Sequence, residues 1–179
     1  MVLRKRNIWI CLVILLTWPI FISQAKAEEA CKLHRKESKA IISLFGENQG
    51  IVPAYTSIDS TSSPEYLRPG DCIYRITEQE EIQGYLVSTS AKGRFDYFDY
   101  SVIFSKNFTI LKVIVTVYRS TQGTGICQKK WLSQFEGYHG GELELGSDID
   151  AVSGGTISAT SMVKDIQRCQ LLISSLDLK

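Results

Sequence analysis

The chain has almost no net charge, two histidines, no C-x-x-C pair and no G-x-x-x-x-G-K-[ST] run, and each absence removes a class of function. Twenty Lys and Arg against nineteen Asp and Glu leave a formal charge of +1. With no basic excess to neutralise a run of phosphates, a nucleic-acid binder is excluded. An acidic disordered chain is excluded too, because 44% of the residues are apolar. The missing C-x-x-C speaks against both a structural zinc site and a dithiol redox motif. His34 falls in a charged helical stretch, and His139 has no second histidine or carboxylate at ligand spacing, so both are read as surface or structural residues. The missing P-loop lysine weakens a nucleotide-binding reading. No catalytic acid/base pair stands out.

What is present starts with an export signal. Arg4, Lys5 and Arg6 precede an apolar run from Ile8 to Ile22, and Ala25-Lys26-Ala27 supplies small residues at a cleavage position. Cleavage after Ala27 is expected, with an uncleaved membrane anchor as the alternative; either places the remainder outside the cytoplasm. Glu28, Glu29 and Ala30 before Cys31 do not suit lipidation. Of five cysteines, Cys11 lies in this segment, leaving Cys31, Cys72, Cys127 and Cys169 as disulfides in any of three pairings or as buried free thiols.

At 179 residues the chain fits one domain with appendages: a signal segment 1–27, an N-terminal helix and loop 28–70, and a main domain 71–179. The spacing predicts a helix from Glu28 to Phe45, stopped by Gly46, and a long loop over Gly46–Gly70. Short strands are expected at Cys72–Thr77 and Ile82–Ser88 around the turn Glu78–Glu81. Another follows Gly93, where Asp96 and Asp99 mark a wet face and not a metal site. Phe108–Tyr118 is the most apolar candidate and reads as a central strand. The N-F-T triplet at Asn107 is taken as a chance match to a glycosylation signal. A short helix with Trp131, Leu132 and Phe135 on one side follows the loop Arg119–Gly125, and Ile157–Leu176 shows apolar residues three or four apart. Trp131 reads first as core, with the lining of a pocket beside the next helix as the functional alternative. These elements give an α+β class, an antiparallel sheet with flanking helices.

The stretch Asp148–Ser161, D-I-D-A-V-S-G-G-T-I-S-A-T-S, leads into that last helix. Gly154 and Gly155 allow close backbone approach, and a helix N-terminus offers free N–H groups and the positive end of the dipole. The stretch suits an anion such as a phosphate. Its hydroxyls, Ser153, Thr156 and Ser158, could instead simply cap the helix.

The run D-A-V-S-G-G-T-I-S, Asp150–Ser158, resembles the flavinylation motif D-x-x-S-G-A-T-x-T/S of FMN-binding domain proteins, the family that includes the C subunit of sodium-translocating NADH:quinone reductase and the G subunit of the Rnf electron-transport complex. Asp150, Ser153, Gly154, Thr156 and Ser158 match position by position, and Gly155 replaces the usual alanine. Thr121–Gly125, with Gly123 and Gly125, stands where the family has a T-P-G-like loop, Gln122 replacing the proline. The resemblance spans roughly 81–179. It implies FMN bound covalently through a phosphoester to Thr156, placed there by a flavin transferase that uses FAD and magnesium, with membrane-associated redox partners. The domain would then be an exported electron-transfer module more than a complete enzyme; the alternative is a non-enzymatic exported binding domain whose Ser/Gly/Thr stretch only caps a helix. The family's six-residue interval from Asp150 implies Thr156 over Thr160, which would lie inside the helix.

Overall fold

A computed structural model describes residues 31–56 and 65–176. The proposed export segment 1–27 lies outside the described residues. Contacts separate Met1–Lys32 from Leu33–Lys179, and the architecture below is that of the second unit. Its order is α1 (Arg35–Phe45), β1 (Gly50–Thr56), β2 (Cys72–Glu78), β3 (Glu81–Lys92), β4 (Tyr97–Ser105), β5 (Ile110–Val117), a 3-10 turn (Thr124–Cys127), α2 (Lys129–Leu132), a second 3-10 turn (Ser133–Phe135) and α3 (Thr156–Ser175).

The five strands form one antiparallel sheet in the order β1-β2-β3-β4-β5, every neighbour adjacent in sequence. The β2–β3 turn is tight: Gln79 and Glu80 have φ of 48° and 70°, the left-handed geometry that matches the twist of a two-residue hairpin. Side chains alternate across the sheet. Tyr100, Val102 and Phe104 of β4 therefore face α3, whose Ala159, Met162, Ile166, Cys169 and Ile173 share their core. Ser101 points the other way, where it donates to the buried Glu37 of α1.

Three expectations are corrected. Phe108–Tyr118 contains β5, which is an end strand and not a central one. Its apolar run is buried because the 124–135 turns pack beside it: Val113, Val115, Ile126, Leu132 and Phe135 belong to one core. Part of the expected loop 46–70 is strand, β1, an end strand whose ladder slips between Pro53 and Tyr55, the place where a residue without an N–H is tolerated. The first helix starts at Arg35, and His34 is its half-buried N-cap: Nδ1 accepts from Lys36 N at 3.1 Å while Glu37 accepts from His34 N. Cys31 and Cys72 each belong to a disulfide, whereas Cys127 and Cys169 are free thiols.

A buried charge network holds α3 in place. The Arg168 guanidinium donates to Asp71 Oδ2 at 2.7 Å, to Asp165 Oδ1 at 2.7 Å, to Thr89 Oγ1 of β3 at 3.1 Å and to the Tyr66 carbonyl at 2.7 Å. Asp71 and Asp165 are each 2% exposed. Tyr100 donates to Asp165 Oδ2 at 2.7 Å and lies 3.6 Å from the Cys169 thiol. Removing one side of such a network leaves the other side charged and unpaired. Arg168→Leu is expected to lose about 3–5 kcal/mol of stability in urea unfolding, since Asp71 stays buried without its cation and Asp165 keeps only the half-exposed Arg68.

Burial also raises two acids beside it. Desolvation pushes the Cys169 thiol up to about 12, only partly opposed by Arg168. Burial, with Cys169 and Asp165 adding to it, holds the Tyr100 phenol well above its ordinary 10. Folding favours the protonated forms, so their stability is fully present below the unfolded thiol's value of 9 and is lost as pH rises from there toward about 12. Urea midpoints should be flat from pH 7 to 8 and fall steadily above pH 9; a midpoint unchanged to pH 11 would contradict this assignment.

Candidate functional site

The motif stretch turns into α3 at Gly155, the N-cap, with φ −122° and ψ 12°. A glycine has no side chain to cap with, and no side-chain cap hydrogen bond is made. The capping reading of the hydroxyls is thereby corrected. Thr156 is the first helical residue and is exposed; Ser153 is exposed as well. Ser158 is 3% exposed, its Oγ 3.3 Å from the Tyr118 hydroxyl. The Tyr118 proton is directed at the Gln122 carbonyl, 2.7 Å away, so Ser158 is the donor of that pair.

Two glycines explain how this junction closes. A Cβ on Gly123 would lie 2.8 Å from the Tyr118 hydroxyl and 3.1 Å from Gly155 Cα, and Gly123 has φ +75°. A Cβ on Gly155 would lie 2.9 Å from Val152 Cγ1 and 3.2 Å from Gly123 Cα. The loop after β5 and the start of α3 are thus in backbone contact, with no room for a methyl on either side. Gly125 repeats this beside Val152, where a Cβ would come within 2.4 Å of Cγ1. Gly154, at φ +69°, faces open space and is needed for its conformation alone.

The expected site residues surround two clefts and not one. The smaller, about 200 Å³, is bounded by Gly154, Gly155, Thr156 and Ser158 together with Gln122 and Arg94. The larger, about 480 Å³, is bounded by Gly125, Asp150 and Ser153 with Trp131, Gln134 and Lys130. Asp150 is held by its backbone: Trp131 Nε1 donates to its carbonyl at 2.7 Å, and its N–H donates to Gln134 Oε1 at 2.9 Å. Trp131 therefore fills both roles considered for it, a buried ring edge-on to Phe135 at 5.2 Å and a wall of the larger cleft. Gly123 lies behind the smaller cleft and supports it.

Arg94 was not visible as a site residue. It sits in the β3–β4 turn, closed by Gly93 N–H donating to the Asp96 carbonyl at 2.8 Å, and its guanidinium lies 5.2 Å above the Phe95 ring. A single arginine after a glycine carries no signal in sequence; only the hairpin's approach to α3, where a Cβ on Gly93 would meet Ser158 Oγ at 3.3 Å, brings it to Thr156. Phe95 and Ile157 are 70% and 54% exposed, leaving apolar surface beside Arg94 and Thr156.

The donor set fits a phosphate. First-turn N–H groups carry about half a positive charge at a helix N-terminus, and a guanidinium shares the cleft. The glycine cradle keeps side chains away from the backbone at that point. Gly123→Ala should cost about 2–3 kcal/mol, from its left-handed backbone plus the contact with Gly155, whereas Gly154→Ala should cost about 1 kcal/mol from conformation alone. Urea unfolding of the two variants checks the order.

No family model matches the chain, and no curated protein matches it. Among solved structures, the chain is similar to the crystal structure of NqrC from Shewanella oneidensis at 16% identity and a TM-score of 0.46, over 81% of this chain and 85% of that one.

Proposed function

We propose that the chain is an extracytoplasmic electron-transfer domain that carries FMN as a phosphoester on Thr156. One observation carries the reading: an exposed threonine hydroxyl opens α3, with no side-chain cap competing for the first turn and Arg94 lining the same cleft. Thr156 Oγ would bond to phosphorus. The first-turn N–H groups and Arg94 would balance the phosphate's charge, the helix end contributing about 1 kcal/mol and up to about 2 when partly buried. Gln122 and Ile157 border the phosphate position, and Asp150 and Ser153 stand at the neighbouring cleft. When bound, the isoalloxazine ring supplies the redox chemistry, and the chain positions it.

A threonine hydroxyl is a weak nucleophile without a base beside it, so the attachment needs an outside enzyme, and the motif's resemblance implies a magnesium-dependent flavin transferase. The Thr156 Oγ–P bond forms as the pyrophosphate bond of FAD breaks, AMP leaves, and the hydroxyl proton passes to the transferase. A covalent link keeps the cofactor in a compartment open to its surroundings, where it meets membrane-associated redox partners. The alternative, a binding domain whose hydroxyls merely cap a helix, is not favoured by the glycine N-cap.

Co-expression with the transferase followed by denaturing gel fluorescence tests this. The unaltered chain should fluoresce after denaturation, Thr156→Ala should be dark, and Arg94→Glu should lower the labelled fraction by about tenfold through like-charge repulsion. Fluorescence of Thr156→Ala equal to that of the unaltered chain would overturn the site.

A further inference from the structure

A separate groove of about 450 Å³ runs beside β5. Four consecutive strand residues, Lys112, Val113, Ile114 and Val115, line it. Side chains alternate between faces along a strand, so four in a row reach one groove only where that groove follows the strand's edge. Among the described residues β5 is an end strand paired with β4 alone, and an end strand offers backbone N–H and C=O groups to a further strand. Both ends of this edge are tied within the chain. Lys36 Nζ donates to the carbonyls of Val115 at 2.9 Å and Thr116 at 3.0 Å, and residues 137 and 138 exchange backbone hydrogen bonds with Ile110, both 2.8 Å. The middle of β5 lies between these ties, facing α2 across the groove.

The charge on the groove is one-sided. Lys36, Lys112, Lys129 and Lys130 line it with a single carboxylate, Glu136, in a chain whose net charge is only +1. Beneath the lysines lie the buried Val113, Val115 and Leu132. An apolar floor along a strand edge, rimmed by cations, is complementary to an extended segment with alternating apolar and acidic side chains. We propose that this groove docks an extended acidic segment of a partner protein along β5. Lys130 also borders the larger cleft beside Asp150, so a docked partner would lie next to the motif. The docking stands independently of any group on Thr156. A concave floor set below the lysines favours a peptide over a flat anionic membrane.

Cys127 is a built-in reporter, a free, half-buried thiol on the groove wall. The test titrates the protein with a fluorescent peptide of about ten residues alternating Glu and Val, against a Lys/Val counterpart and against phosphatidylglycerol vesicles. The acidic peptide should bind and the basic one should not. Lys112→Glu with Lys129→Glu should weaken binding by about tenfold or more without moving the melting temperature. At saturation the acidic peptide should slow alkylation of Cys127 by roughly threefold or more, read by peptide mass mapping. No binding of the acidic peptide, equal binding of both peptides, binding indifferent to the charge reversal, or vesicle binding in its place would overturn the proposal. Should the double variant fail to fold, an unchanged Cys127 alkylation rate in the unaltered protein at saturating peptide would overturn it alone.

Discussion

The fold depends on the pairing of Arg168 with Asp71 and Asp165. It joins the middle of α3 to β3, through Thr89, and to the segment that leads into β2. Buried charges are costly unless every donor and acceptor has a partner. Here the guanidinium has five partners, the Cys169 sulfur among them, and the carboxylates are shared with Tyr100 and Arg68, so one rotational setting of the helix satisfies them together. A helix fixed in this way delivers its first turn to a defined place, and Thr156 stands on that turn.

The second constraint is steric. Gly123 and Gly155 meet backbone to backbone, and Val152 closes the remaining side. This accounts for Gly155 where the resembling motif carries alanine: in this chain a methyl at that position would press on Val152 Cγ1 at 2.9 Å. The substitution that looks like a loosening of the backbone is a fit to a tighter neighbour. Neither glycine nor alanine can cap with a side chain, so the anion-attracting end of α3 is open to the cleft that Arg94 shares.

Local patterns were legible in the sequence, and long-range ones were not. The apolar spacing from Ile157 to Leu176 gave α3 to within a residue, because one face of a helix must pack on a sheet and its period is fixed. The Glu78–Glu81 turn and the strands on either side of it followed from β-branched and polar alternation. Phe108–Tyr118 misled about position, since an apolar run reports burial and is blind to whether strands or helices provide it. The Arg168–Asp71 contact spans 97 residues, and nothing in either segment announces the other. Within the candidate site, the motif and the Gly123–Gly125 loop were readable as neighbours. Arg94 and the division into two clefts came from the approach of the β3–β4 turn to α3, which no local pattern encodes.

The central claim is that a single hydroxyl at the start of α3 is the point of flavin attachment. Fragmentation mass spectrometry of the peptide spanning Asp148–Lys164, from protein made together with the transferase, tests it most directly. An addition of FMN less one water on Thr156 is the predicted result. An unmodified peptide, or the same addition on Ser153, Ser158 or Thr160, would contradict it.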